Sequence, residues 1–345
     1  GDGGYSGLPG EVVGIDISNI ASVTATRNSI TGLEIPEDRS NAGAGGIGGG
    51  GGNGGRCAIG GTGGDGGSGG TGGDGGLGSP GREVHGYLIN RNTRFENTLV
   101  HQVDGGAAGL GGIGGDGGAG GTTGGCMGGA NGTGGQGGNG GLGGDGRDGG
   151  KSYGISNEMD NTLVNNTVAD IIPGTSGIGG AGGTGGACGE SDPLSPDCVP
   201  GIDGSDGISG GPGEAFGLFI FGGEPIIVNN IVANPQISHQ MAIMVNAFGI
   251  YSPDSVTLAL DYNDVYGWFE NYHNLAPGGN DISADPLFVD AVKGDYHITS
   301  SSPAKDKGLG SSSGFSLPTD DIDGDSRPQD DSYDIGADEY TTAPA

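Results

Sequence analysis

Residues 45–77 read GGI GGG GGN GGR CAI GGT GGD GGS GGT GGD GGL, a Gly-Gly-X triplet whose frame survives even where Cys57 and Ala58 replace the two glycines. A strict period of three matches neither the 3.6 of an α-helix nor the 2 of a strand. It fits a polyproline-II-type helix, with three residues per turn and roughly 3.1 Å rise per residue. With no side chain at two positions in three, such helices can pack side by side. Collagen needs Pro-rich X and Y positions, which are absent here. A disordered glycine linker is the competing reading. The kept frame and its recurrence elsewhere in the chain argue against it.

Removing the Gly-rich parts exposes a second repeat. Its copies begin at Val13-Gly14-Ile15, His85-Gly86-Tyr87, Tyr153-Gly154-Ile155, Phe216-Gly217-Leu218 and Phe248-Gly249-Ile250. Each has a short β-type run, a second run, and an Asn-then-aliphatic run such as Asn28-Ser29-Ile30, Asn97-Thr98-Leu99 or Asn165-Asn166-Thr167-Val168. Copies too short to bury a core alone predict a solenoid. Short strands separated by turns predict a parallel β-helix of about five coils, stacked at the roughly 4.8 Å inter-strand spacing. Aliphatic residues should point inward, and the Asn residues should hydrogen-bond from coil to coil at equivalent turns.

The Gly-rich segments follow the Asn run of copies one, two and three, at about 41–81, 104–150 and 173–213. Insertions at one corner of successive coils must project together. Each is expected to run out, turn and return, giving six antiparallel polyglycine-II arms of on the order of 45 Å. Outgoing arms favour Ile, Leu and Ala at X, and returning arms favour polar residues. The expectation is that outgoing arms lie inward and returning arms face water. The returning aspartates then form a solvated, repulsive face.

Tip positions carry the cysteines. Asn28 to Cys57 and Asn97 to Cys126 span the same offset, so we expect Cys57–Cys126 across inserts and Cys188–Cys198 closing the third tip. In the alternative, Cys126 pairs into the third tip. Disulfides imply an oxidising compartment. Asn131-Gly132-Thr133 is a sequon at an exposed tip, which makes Asn131 a candidate glycosylation site.

The net charge of −30 argues against nucleic acid and anionic membrane as partners, and the apolar runs are too short to span a membrane. Both fit a secreted, extracellular or cell-surface protein.

After residue 267 the texture changes, and the expected organisation is a β-helix over 1–266 and a C-terminal capping region over 267–345. The later part contains Asp285-Pro286-Leu287-Phe288-Val289-Asp290, Gly294-Asp295-Tyr296-His297-Ile298, Ser302-Pro303-Ala304, Asp321-Ile322-Asp323-Gly324-Asp325 and Asp334-Ile335-Gly336-Ala337-Asp338-Glu339-Tyr340. This run resembles the C-terminal region of bacterial right-handed β-helix surface proteins of the choice-of-anchor Q type. Lys305, Lys307 and Asp338 depart from that family's pattern. The resemblance implies an exported bacterial cell-surface protein and gives no enzymatic activity. The glycine inserts are similar to the polyglycine-II slabs of snow flea antifreeze protein and of phage-tail adhesins. Physically, the C-terminal run is expected to close the open edge of the last coil.

Candidate chemistry is sparse. Asp321, Asp323 and Asp325 have the carboxylate spacing of the first half of a calcium loop, but Ser332 stands where a bidentate Glu would complete it. Calcium is therefore the one cofactor considered, with a recurring structural turn as the rival reading. Polysaccharide cleavage would need a basic group at an acidic cluster. Arg91 and Arg94 near Glu96 read instead as a surface ion network. The histidines have no partner at motif spacing, and His85 and His101 are expected on the coil surface. The sequence thus predicts a non-enzymatic structural or adhesive surface protein, self-associating into a homopolymeric filament through its open ends. The alternative is a glycan- or receptor-binding adhesin using the insert tips. Ice binding ranks third, because Asp65, Asp74, Asp145, Asp203 and Asp206 suit a flat, sparsely charged face poorly.

Overall fold

The computed structural model describes residues 12–17, 23–33, 65–90, 92–122, 134–188, 199–235, 246–254, 256, 258–310 and 315–342. Five successive turns each hold three strands. They are β1 (Val12–Ile17), β2 (Val23–Thr26) and β3 (Ser29–Leu33); β4 (Val84–Ile89), β5 (Thr93–Glu96) and β6 (Leu99–Asp104); β7 (Ser152–Asn157), β8 (Thr162–Val164) and β9 (Thr167–Ile172). The fourth turn has β10 (Ala215–Ile220), β11 (Ile226–Val228) and β12 (Ile231–Ala233); the fifth has β13 (Ala247–Tyr251), β14 (Ala259–Asp261) and β15 (Asp264–Tyr266). Equivalent strands stack into three parallel sheets, ordered β1-β4-β7-β10-β13-β16, β2-β5-β8-β11-β14 and β3-β6-β9-β12-β15, with β16 (Glu270–His273) extending the first beyond residue 267. This is a parallel β-helix.

Register explains the repeated Gly. Gly86, Gly154, Gly217 and Gly249 sit on successive strands of the first sheet. A Cβ on them would lie 2.4–2.6 Å from a methyl of Val100, Val168, Val232 and Val265 respectively. The valine row of the third sheet reaches across a narrow interior and fills the space that a side chain would need. Beside the glycines runs an inward row of Tyr87, Ile155, Leu218 and Ile250, each at most 1% exposed. On the outer side of that sheet His85, Tyr153, Phe216 and Phe248 stack in order, with centroid spacings of 4.2, 5.1 and 5.5 Å.

The Asn ladder forms at the corner between the second and third sheets. Asn166 Oδ1 accepts from Thr98 N–H, Asn230 Oδ1 from Asn166 N–H, and Asn263 Oδ1 from Asn230 N–H, at 2.9–3.0 Å. Asp281 then takes the Asn role, accepting from Asn263 N–H at 2.7 Å. The preceding residue is left-handed in each turn (Arg27, Asn97, Asn165, Asn229, Tyr262), which explains the second Asn in several copies.

Two expectations need correction. His85 and His101 are 7% and 5% exposed. His85 Nδ1 bonds Ser156 Oγ at 2.9 Å, its ring stacks on Tyr153, and burial lowers its pKa to about 4. The C-terminal run also does more than close an end. Residues around Asp281 and Ile282 add one further rung, with Ile282 bridged to Asp264. The chain then folds back along the outside of the third sheet, from the fifth turn to the first. Ile298, Ala304 and Ile335 pack on Ile231 and Ala233. Tyr296 Oη donates to Asp170 Oδ2 at 2.5 Å, Ala337 N–H to Thr167 Oγ1 at 3.0 Å, and Asn97 Nδ2 to the Asp320 carbonyl at 2.7 Å. Arg27 pairs with Asp320 at the far end. Arg94 pairs with Glu96 and donates to the Ser316 carbonyl at 2.5 Å, so this cation fastens the fold-back.

Asp264 yields a testable pH dependence. It is fully buried; Oδ1 accepts from Ala284 N–H at 3.1 Å and Oδ2 has no partner among the described residues. Burial pushes its pKa up to about 7, with Asp285 and Asp281 adding to the rise against the Ala284 hydrogen bond. Between the ordinary carboxyl range and that value the folded chain binds the extra proton, so stability falls as pH rises through this window. Asp264→Asn should stabilise by on the order of 2 kcal/mol near pH 8, with the gain vanishing toward about pH 4. Urea unfolding of both proteins at the two pH values checks the sign.

Candidate functional site

Where the chain leaves the third sheet and before it rejoins the first, the glycine segments 65–81, 105–122, 134–150, 174–188 and 199–213 lie side by side. Hydrogen bonding passes from strand to arm without a break: Gly105 N–H donates to the Ile172 carbonyl at 2.8 Å, and Val84 N–H to Lys151 at 2.9 Å. Outgoing arms therefore continue the third sheet, and returning arms lead into the first. Within each layer the arms are parallel, as in Gly111→Ile178, Gly114→Ala181 and Gly117→Thr184, all at 2.8–2.9 Å. Between layers they are antiparallel, as in Gly138→Gly118, Gly141→Gly115 and Gly144→Gly112, all at 2.8 Å. The donors advance by three residues along both partners, the period read from the sequence.

One glycine of each triplet thus bonds within its layer and the other across layers. X is left pointing away from the interface. This corrects the expected inward placement of the outgoing arms. Ile113 and Ile178 are 58% and 65% exposed, and Asp116, Ala119, Ala181, Thr184 and Ala187 are exposed too. The slab has two open faces because only glycine fits between its layers.

The aspartates have a structural duty that periodicity alone did not reveal. The N–H of each X residue has no place in either set of bonds. Asp74 Oδ1 accepts from Leu142 N–H, Asp116 from Thr184, Asn139 from Ile202, and Asp145 from Ile208, at 2.8–3.1 Å. Asp116→Ala should loosen the contact between these two arms, by loss of bonds to both the amide and Oγ1 of Thr184. Faster amide exchange at Thr184 with the rest of the slab unchanged is the expected readout.

The third returning arm breaks the pattern. Its in-layer acceptors are Ile202, Ser205 and Ile208, not the Asp203, Asp206 and Ser209 that a continued triplet would give. This arm is the outermost of the described returning arms and keeps one glycine in three. Asp203, Asp206 and Ser209 curl over the open edge and accept from Gly185, Gly182 and Gly179 N–H at 2.7, 2.9 and 3.1 Å.

The tips lie outside the described residues, as do Cys57, Cys126, Cys198 and Asn131. Cys188 is disulfide-bonded, so its partner is also outside them.

In the fold-back, the calcium candidates separate. Asp321 is fully buried, with Oδ1 accepting from Asp323, Gly324 and Asp325 N–H at 2.8–2.9 Å and Oδ2 from Glu339 N–H at 3.1 Å. It holds a turn. Asp325 bonds back to that turn through its N–H and carbonyl. Asp323 projects elsewhere, with Oδ2 2.7 Å from His297 Nε2. His297, on β17 (Asp295–Ile298), has its Nδ1 2.6 Å from Asp295 Oδ1. Burial opposes its charge, but the bonds to Asp295 and Asp323 outweigh it and raise its pKa to about 9. Asp338 completes the group: burial raises its pKa to about 6, and Oδ2 accepts from Ile298 N–H at 2.8 Å. These side chains line a cavity of about 350 Å³ shared with Arg27, Tyr296 and Thr167. The sequence reading passed over His297 because Asp323 and Asp338 reach it only through folding; Asp295-x-His297 was the visible hint.

No protein-family model matches the chain, and no curated protein matches it. A solved structure, the nine polyproline type II helical bundle springtail antifreeze protein from Granisotoma rainieri, is 23% identical, over 47% of this chain and 93% of that chain, at a TM-score of 0.10. That score carries no argument. Among the described residues no helix is long and apolar enough to cross a membrane.

Proposed function

We propose that the chain is a non-enzymatic extracellular structural or adhesive protein of a bacterial cell surface, in which a parallel β-helix holds a glycine slab outward and the slab presents its tip segments to a glycan or receptor. The observation that carries this reading is the continuous hydrogen bonding from both sheets into the slab. A projection built that way is a stiff extension of the solenoid, and stiffness is what a presenting arm needs. The C-terminal resemblance to choice-of-anchor Q proteins supports the surface assignment. Exchange of the tip segments 127–133 and 189–197 for Gly-Ser linkers, with Cys126 and Cys198 kept, should abolish adhesion to target cells while leaving the thermal transition in place. Unchanged adhesion would remove the reading. The filament version is tested by electron microscopy of concentrated protein, where monomers alone would count against it.

A specific observation favours a second reading. The acids that argue against ice binding belong to the returning face and the edge. The described outgoing arms instead carry Ala107, Leu110, Ile113, Asp116, Ala119, Thr122, Thr175, Ile178, Ala181, Thr184 and Ala187 at their X positions, a flat array with one acid. Ice binding through this face would give thermal hysteresis that Ala181→Lys suppresses and Ser205→Lys, on the opposite face, does not.

A further inference from the structure

We infer that His297, Asp323 and Asp338 form a binding site for a divalent transition-metal ion, Zn²⁺ or Mn²⁺, that fastens the C-terminal fold-back. Each offers one ligand atom, and the three atoms lie within 4.8 Å of one another. Ligands about 2.1 Å from a shared ion stand at most about 4.2 Å apart, so a contraction of about half an ångström closes the set.

Two further observations point to a ligand. Asp338 is only 8% exposed, with Oδ2 held by Ile298 N–H, and it nonetheless lines the cavity, so its carboxylate reaches the space an ion would fill. Asp295 stands behind His297 Nδ1 at 2.6 Å, the arrangement that fixes the tautomer and leaves Nε2 as the ligand nitrogen. Nε2 faces Asp323 at 2.7 Å, so an ion entering there displaces the proton shared by that pair and spreads the two ligand atoms apart. An imidazole with two carboxylates selects a first-row transition ion over Ca²⁺, which takes an all-oxygen shell of six to eight ligands. The site is also distinct from the calcium-type loop, whose Asp321 has both oxygens committed to the backbone. Arg27, which lines the same cavity, is neutralised by Asp320.

The three ligands come from β17, from the turn after Asp321, and from the segment around residues 334–340, so one ion would tie together the parts that lie along the third sheet.

The test is calorimetric titration of the full, untagged chain with Zn²⁺ in a Ca²⁺ excess, repeated with Co²⁺ by visible absorption. One saturable equivalent is expected, with a Co²⁺ spectrum of a low-coordinate nitrogen–oxygen site. His297→Gln should abolish that equivalent. Asp323→Asn, at an exposed residue whose loss leaves the fold intact, should weaken it at least about tenfold, and Asp295→Asn about tenfold. Asp325→Asn should leave it unchanged. The inference is overturned if Zn²⁺ shows only weak, non-saturating association. It is equally overturned if binding survives His297→Gln, or if Asp325→Asn abolishes it.

Discussion

Gly141→Ala should cost about 3–5 kcal/mol, whereas Leu142→Ala, one residue along, should stay within about 0.5 kcal/mol. Gly141 lies at the centre of the second returning arm. Its N–H donates to the Gly115 carbonyl, and its own carbonyl accepts from Gly183 N–H, both at 2.8 Å. A Cβ there would stand 2.1 Å from the Gly73 oxygen and 2.6 Å from its carbon. Backbone cannot swing aside as a side chain can, so the first arm must separate from the second, and bonds such as Gly72→Asn139 and Gly75→Leu142 are strained together. Leu142 is 53% exposed and projects from the returning face. Thermal unfolding of the two variants checks the contrast. Hydrogen exchange should place the damage of Gly141→Ala in the slab first, with the amides of β7 to β12 still protected. Equal tolerance at both positions would contradict the packing.

Arg327→Ala carries the other large expected effect, about 3–5 kcal/mol. Arg327 is 5% exposed, with Nη1 2.9 Å from Glu339 Oε2 and Nη2 donating to the Gly336 carbonyl at 2.8 Å. Glu339 also accepts from Asp334 and Gln329 N–H at 3.0 and 2.9 Å. Removing the guanidinium leaves a buried carboxylate unpaired and frees two segments of the fold-back at once. Arg327→Lys should recover little, because an ammonium cannot supply the planar fork that serves Glu339 and the Gly336 carbonyl together. Arg327→Met with Glu339→Gln should cost less than the sum of the single changes, since it removes both charges. Protease cleavage after residue 300 should accelerate in Arg327→Ala while the glycine arms stay protected. An Arg327→Ala protein that unfolds like the parent would show that the pair contributes nothing.

How much of this could be read from residues alone follows from the range of the interactions. The triplet at 45–77 and the Gly-aromatic-Asn rows are local periodicities. They led to stacked parallel strands and a coil-to-coil Asn ladder, because a period constrains every copy in the same way. Four features escaped. Ile113 and Ile178 looked like core residues, yet a two-layer plate with only glycine inside has no interior for them. Asp203 and Asp206 fell into the expected frame, but an edge arm answers to the neighbour it lacks. His297 meets Asp323 and Asp338 across 26 and 41 positions of irregular chain, where no periodicity sets the pairing. His85 looked like a surface residue because its neighbour Tyr153 arrives from the next turn.

The capped edge at the third returning arm also bears on how this gene can lengthen. A coil carrying an insert could be duplicated between the second and third copies, because the arms there pair edge to edge through backbone alone, as in Gly111→Ile178 and Gly140→Ile202. After the third copy the edge amides of the outgoing arm are already taken. Asp203, Asp206 and Ser209 already occupy the amides of Gly185, Gly182 and Gly179. The single-glycine triplets of that arm leave no groove for another backbone. The third insert is therefore a chain terminator written in side chains: it sets the width of the plate, and keeps a neighbouring molecule from extending the plate on that side.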